Sequence, residues 1–129
     1  MHSGFVINRA DGRPMYLQII EQIKERIAVG DWPVGAEIPS IRQLVIALQV
    51  SVITIKRVYA ELEREGVIVT QQGKGSSVAQ APNLGKLYDR DLAGHIDQAA
   101  RLGILLGLQP RQLASRLREA ADRLSEEQA

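Results

Sequence analysis

Two short apolar-periodic segments, each preceded by a serine and parted by a tight junction, constrain the fold of this chain more than any other feature. Ser40 follows Pro39 and precedes Ile41, Leu44, Val45 and Leu48, so it serves as an N-cap for a helix over 41–48. Gln49-Val50 forms the junction. Ser51 then offers a second N-cap, and Ile55, Val58, Tyr59 and Leu62 make one apolar face as far as Gly66, which predicts a helix over 52–65. Two short helices on a three- to four-residue turn form a helix-turn-helix unit.

The flanking segments fit around that unit. Tyr16, Ile19, Ile20, Ile23, Ile27 and Ala28 recur at helical spacing after Pro14, read as a first-turn residue, and before Gly30, which predicts a helix over 15–29. Residues 5–13 read as an arm ending in a turn at Asp11-Gly12, and residues 30–39, with two Gly and two Pro, as a connector anchored by Trp32. Past Gly66, the β-branched run Val67 to Gln71, the turn Gln72-Gly73-Lys74-Gly75 and Ser76 to Ala79 predict a two-stranded hairpin, a wing. Ala81-Pro82-Asn83 marks a boundary. Beyond it Leu84, Leu87, Leu92, Ile96 and Ile104, and after Pro110 Leu113, Leu117, Ala120, Ala121 and Leu124, predict two amphipathic helices joined near Gly107. The expected fold is mainly α with a small β-hairpin wing: a winged helix-turn-helix head over 1–80 and a two-helix tail over 84–129. Two such helices cannot cover both apolar stripes alone, so a second copy of the tail is the economical partner and the chain reads as a homodimer.

Composition narrows the function. The 129 residues are 45% hydrophobic and 24% charged, ordinary globular usage. The charge-free apolar stretch Leu102 to Gln109 is far short of the ~20 residues that span a bilayer, so no membrane partner is expected. The N-terminal segment has no secretory pattern and the chain no cysteine, which fit a cytoplasmic address. A net charge of +1 decides nothing by itself, because DNA affinity depends on where cations cluster.

A recognition helix enters the major groove with its N-terminal residues. Thr54 can hydrogen-bond a base edge or phosphate, Val52 and Ile53 can press on a thymine methyl, and Lys56 and Arg57 can meet phosphate or guanine. Arg42 projects from the start of the preceding helix, whose free N–H groups also favour phosphate. The wing contributes Gly73, Lys74 and Gly75, slim enough to approach the backbone or minor groove, and Ser76 after them. The glycine turn lacks the GxxxxGK[ST] spacing of a P-loop. Catalysis would rest on His95, since His2 lies in the N-terminal extension. Asp91 and His95, four apart, are two ligands and not a metal site. No cofactor, metal or enzymatic activity is expected. The competing reading is a winged helix used for protein–protein contact, which an acidic or uniformly apolar recognition face would favour.

Taken in order, Pro14-Met15-Tyr16-Leu17-Gln18-Ile19, Gly30, Gly35, Ile38-Pro39-Ser40-Ile41-Arg42, Leu44, Leu48-Gln49-Val50-Ser51, Thr54-Ile55, Leu62, Gly66 and Gly73-Lys74-Gly75-Ser76 resemble the N-terminal signature of the GntR family of bacterial transcription regulators. The resemblance covers 14–79. It implies that Ser40, Arg42, Ser51, Val52, Ile53, Thr54, Lys56, Gly73 and Lys74 lie at double-stranded DNA. Many members carry Arg directly after the serine matching Ser51, whereas this chain has Val52, which replaces guanine readout with thymine contact. The short tail is similar to that of the YtrA-type subfamily. The expected activity is sequence-specific repression from an inverted-repeat operator. A small-molecule effector is neither required nor named by the sequence, and Tyr88, His95 and Arg101 are the candidate lining of a pocket for one.

Overall fold

The computed structural model describes residues 5–10 and 12–128. His2 and Asp11 lie outside the described residues. The elements run α1 (Met15–Ala28), α2 (Ile41–Leu48), α3 (Val52–Arg64), β1 (Ile68–Gln71), β2 (Gly75–Val78), α4 (Leu84–Leu105) and α5 (Pro110–Gln128). The fold is thus mostly helical with one antiparallel hairpin. The chain divides into two compact units, with the division between Leu87 and Tyr88.

The first unit is built around Ile19, Ile23, Leu44, Ile55, Val58, Leu62, Val67, Ile68 and Val78, all fully buried. Each helix supplies one apolar stripe, as the 3.6-residue period requires. Pro14 is the N-cap of α1 and not its first helical residue, with ψ at 144°. A proline fits there because its φ is preset and its missing N–H would have had no helical partner. The end of α3 is set by Gly66 at φ +76°: its N–H reaches Glu63 O at 3.0 Å, and Val67 N reaches Leu62 O at 2.9 Å. This left-handed glycine closes the helix and aims Val67 into the core at the start of the wing.

Two features of the first unit carry no local sequence signal. The connector 30–39 adds a third short piece to the hairpin. Glu37 bridges Ser77, Ile38 N donates to Ser76 O at 3.0 Å, and Val78 N donates to Ala36 O at 2.9 Å. The arm, in turn, lies along α1 on two glutamines. Gln22 exchanges a pair of hydrogen bonds with the Val6 backbone, and Gln18 does the same with Asn8. Four helical residues rise about 6 Å and two extended residues advance about 6.6 Å, so the two spacings match. Phe5 ends the arm edge-on to Trp32, with centroids 6.1 Å apart.

Helix α4 begins on the head. Leu87 is buried in the first unit's core and Leu84 packs against it, so the unit extends past Pro82-Asn83 to Leu87. In the second unit, Gly107 at φ +75° ends α4, with Leu108 N on Gly103 O at 2.9 Å. Gly103 faces Leu113: a β-carbon there would sit 3.2 Å from Leu113 Cδ2, so the two helices meet closely beside their turn. Elsewhere Leu92, Ile96, Leu102, Ile104, Leu117 and Leu124 remain exposed. Among the described residues, no helix is long and apolar enough to cross a membrane.

Candidate nucleic-acid interface

The starts of α2 and α3 are both fixed by serine. Ser40 Oγ accepts from Gln43 N at 3.1 Å while Gln43 Oε1 accepts from Ser40 N at 2.8 Å, a reciprocal capping box. Ser51 Oγ accepts from Thr54 N at 3.2 Å and pairs with Thr54 Oγ1 at 2.8 Å. Both serines are therefore occupied in holding helix ends, which sets where the next residues point. Between them, Gln49 takes the left-handed conformation at φ 55° and Val50 is buried, giving a compact turn. Arg42 is exposed in the first turn of α2.

On α3 the residues Ile55, Val58 and Leu62 already supply the core stripe, so the sequence expects at least one of Val52 and Ile53 at the surface, and both are there, 46% and 77% exposed. Ile53, Lys56 and Arg57 stand at i, i+3 and i+4, so the two cations flank one exposed apolar side chain. Ala60, seven residues on from Ile53, is exposed on the same face and, being small, lets a ligand come close to the helix. That position gave no signal in the sequence because alanine is compatible with any surface.

The charges are sorted along the chain. From Ser40 to Ala60 there is no acid, only Arg42, Lys56 and Arg57. The acids of this region begin at Glu61, where Arg64 Nη2 bonds Glu61 at 2.6 Å, and continue to Glu65, whose carboxylate meets Lys24 at 2.9 Å. The N-terminal half of α3 thus adds two cations to the positive end of the helix dipole, and the negative charge sits at the far end, partly neutralised. That is a field suited to phosphate.

At the wing, Lys74 is exposed in the turn closed by Lys74 N on Gln71 O at 2.9 Å, between Gly73 and Gly75, both at positive φ. Ser76 departs from the expectation. Its side chain is buried, and its Oγ lies 2.8 Å from Thr70 Oγ1 across the hairpin, because residue alternation turns it inward. Its hydroxyl fixes the wing and is not presented outward. Tyr16, read from the sequence as a core residue of α1, also has a second surface: Arg57 stacks on its ring. In the tail, Tyr88, His95 and Arg101 are all exposed on α4.

Residues 15–78 match the family described as "Bacterial regulatory proteins, gntR family". The HTH-type transcriptional regulator YhcF of Bacillus subtilis is 34% identical over 97 residues, which cover 71% of this chain and 80% of YhcF. The chain belongs to the GntR family of bacterial transcription regulators. The HTH-type transcriptional repressor YtrA of the same organism is 36% identical over 74 residues, 57% of either chain. Among solved structures, this GntR chain is similar to a transcriptional antiterminator from Listeria monocytogenes, with a TM-score of 0.70 and 29% identity over 91% of this chain and 89% of that one. It is also similar to AraR(DBD) in complex with operator ORE1, with a TM-score of 0.51 and 28% identity over 57% of this chain and 90% of that one. The head of this GntR protein is the winged-helix DNA-binding domain of the family, carried with a C-terminal helical region.

Proposed function

We propose that this GntR-family regulator binds an inverted-repeat operator as a homodimer and represses transcription there. In this reading the head contacts DNA through Arg42, Val52, Ile53, Thr54, Lys56, Arg57 and the wing tip at Gly73, Lys74 and Gly75. The capped starts at Ser40 and Ser51 set their geometry. The observation that carries it is the exposed Ile53 between Lys56 and Arg57 at the cationic end of α3. An isoleucine in water is unfavourable, and a thymine methyl between two phosphate strands gives it and both cations a partner. AraR(DBD), a structural relative, is found in complex with an operator, which supports DNA as the partner of the head.

The tail supports the two-fold assembly. Leu92 and Ile96 on α4 and Leu117 and Leu124 on α5 stay exposed, so their stripes gain a cover only from another surface, which a second tail supplies. Two-fold symmetry then sets the half-site centres about 10 base pairs apart or a multiple of that. A cytoplasmic location follows from a role at the chromosome.

Fluorescence anisotropy tests the reading, using the duplex upstream of the protein's own coding region and a scrambled duplex of equal length at two salt concentrations. Specific binding at least ~10³-fold tighter than to the scramble at near-physiological salt is the expected result. No binding to either duplex at low salt would overturn it and favour a protein partner for the exposed helix.

A further inference from the structure

Tyr16 and Arg57 lie 41 residues apart in sequence, one at the start of α1 and the other in the second turn of α3. The Arg57 guanidinium carbon sits 3.6 Å from the centroid of the Tyr16 ring, and Arg57 Nη2 donates to the Tyr16 hydroxyl at 2.9 Å. The stack fixes the tilt of the guanidinium and the hydrogen bond fixes its rotation. An exposed arginine otherwise spreads over many rotamers.

The choice of partner is informative. Arg13 pairs with Glu21, Arg26 with Asp31 and Arg64 with Glu61, each guanidinium against a carboxylate. Arg57 is held by a neutral side chain, so its charge stays available while its geometry is set. A guanidinium has five N–H donors, and the bond to Tyr16 uses one, leaving an edge for bidentate contact. Arg57 also stands one helical turn from the exposed Ile53, on the opposite side from Lys56. Base edges are read by the first residues of a recognition helix, and groups on its flanks meet the backbone.

We propose that Tyr16 is a positioning residue that presets Arg57 as a clamp for a DNA phosphate, so that α1 takes part in DNA binding through the recognition helix. This rests on the DNA-binding reading above. The ring also covers part of the core, which is a structural duty; the Arg57 stack is a second duty on its outer face.

The test is a salt series of anisotropy titrations of the full chain against a random-sequence duplex of ~30 base pairs, with thermal unfolding of every variant. Arg57→Ala is expected to lower the slope of log K against log salt by about 0.9, because one fewer phosphate is neutralised. Arg57→Lys keeps the slope, since the charge remains, but weakens binding about 3- to 10-fold because an ammonium cannot reproduce the planar stack. Tyr16→Leu keeps the slope and weakens binding by a similar factor, and Tyr16→Phe, which retains the ring, weakens it less. The deciding result is the double variant: Tyr16→Leu added to Arg57→Ala costs no further affinity, because Tyr16 acts through Arg57. Additive losses would overturn the proposal, since a role in folding alone or an independent contact behaves that way. A wild-type chain that binds while Arg57→Ala retains the full slope would overturn the clamp and leave the DNA-binding reading standing. A wild-type chain that binds no duplex would overturn both.

Discussion

Lys24 Nζ lies 2.9 Å from Glu65 Oε1, and both side chains are almost wholly withdrawn from water, at 6% and 7% exposure. The pair ties the middle of α1 to the residue that caps α3, so it helps set where the recognition helix ends relative to the helix behind it. Removing one partner leaves the other charge buried. Lys24→Met or Glu65→Leu alone is expected to cost about 3–5 kcal/mol in urea unfolding, and the double substitution less than either single one. Single variants within about 1 kcal/mol of wild type would mean that water reaches the pair and screens it as it does a surface ion pair.

A second long-range tie joins the same helix to the loop ahead of α2: the buried Tyr59 hydroxyl donates to the Pro39 carbonyl. Tyr59→Phe leaves that carbonyl unpaired and is expected to cost about 1–3 kcal/mol. Burial also pushes the phenol pKa well above its ordinary value. The folded state then keeps a proton that the unfolded chain releases above about pH 10, so this contribution is intact below that pH and declines above it, by about 1.4 kcal/mol per unit. Denaturation of wild type and Tyr59→Phe at pH 8, 10 and 11 separates this from lysine titration. The stability advantage of wild type is expected to shrink at pH 11, and a constant difference would show that the phenol titrates normally.

These two ties mark where sequence reading succeeds and where it stops. The bounds of α2 are met, α1 and α3 each end one residue short of expectation, and the hairpin lies where the β-branched run and glycine turn put it, because caps, period and turn residues are local signals. The Glu37–Ser77 bridge, the glutamine-held arm and the Tyr16–Arg57 stack are pairings between distant residues, none of which has a period. Ser76 was legible as a residue of the wing and not as a buried one, because four-residue strands barely establish an alternation. The exposure of at least one of Val52 and Ile53 was legible, since the core stripe of α3 was already filled.

The division between the units gives a sharper truncation than Pro82-Asn83 does. Leu87 is buried against the head and Leu84 packs on it. A chain ending at Asn83 loses both, and with Leu87 alone worth about 1.5–3 kcal/mol it is expected to unfold several degrees below one ending at Leu87. Both fragments are expected to sediment as monomers if the tail joins the dimer. A fragment ending at Leu87 that remains dimeric would move the interface into the head.

Lys56 separates phosphate contact from a solvated helix face. Lys56→Ala is expected to weaken binding to every duplex alike and to reduce the salt slope by about 0.9. Because Lys56 is exposed, its removal leaves the thermal midpoint almost unchanged, which rules out unfolding as the cause. An unchanged slope would remove it from the interface.

Val52 is the position where the base preference of this chain is most open to change. It follows the Ser51 cap and is half exposed beside Ile53, a branched apolar pair at the N-terminal end of α3. Such a pair favours thymine methyls, whereas an arginine there can grip guanine O6 and N7 together. Val52→Arg is therefore expected to gain about 1–3 kcal/mol for guanine over thymine at one position in each half-site and to leave the other positions unchanged. Selection of bound duplexes from a randomised pool, run in parallel for wild type and variant, reads this directly. A change confined to one symmetric pair of positions would tie Val52 to that base, while an unchanged profile would place the first turn of α3 outside the groove and shift base reading towards Thr54.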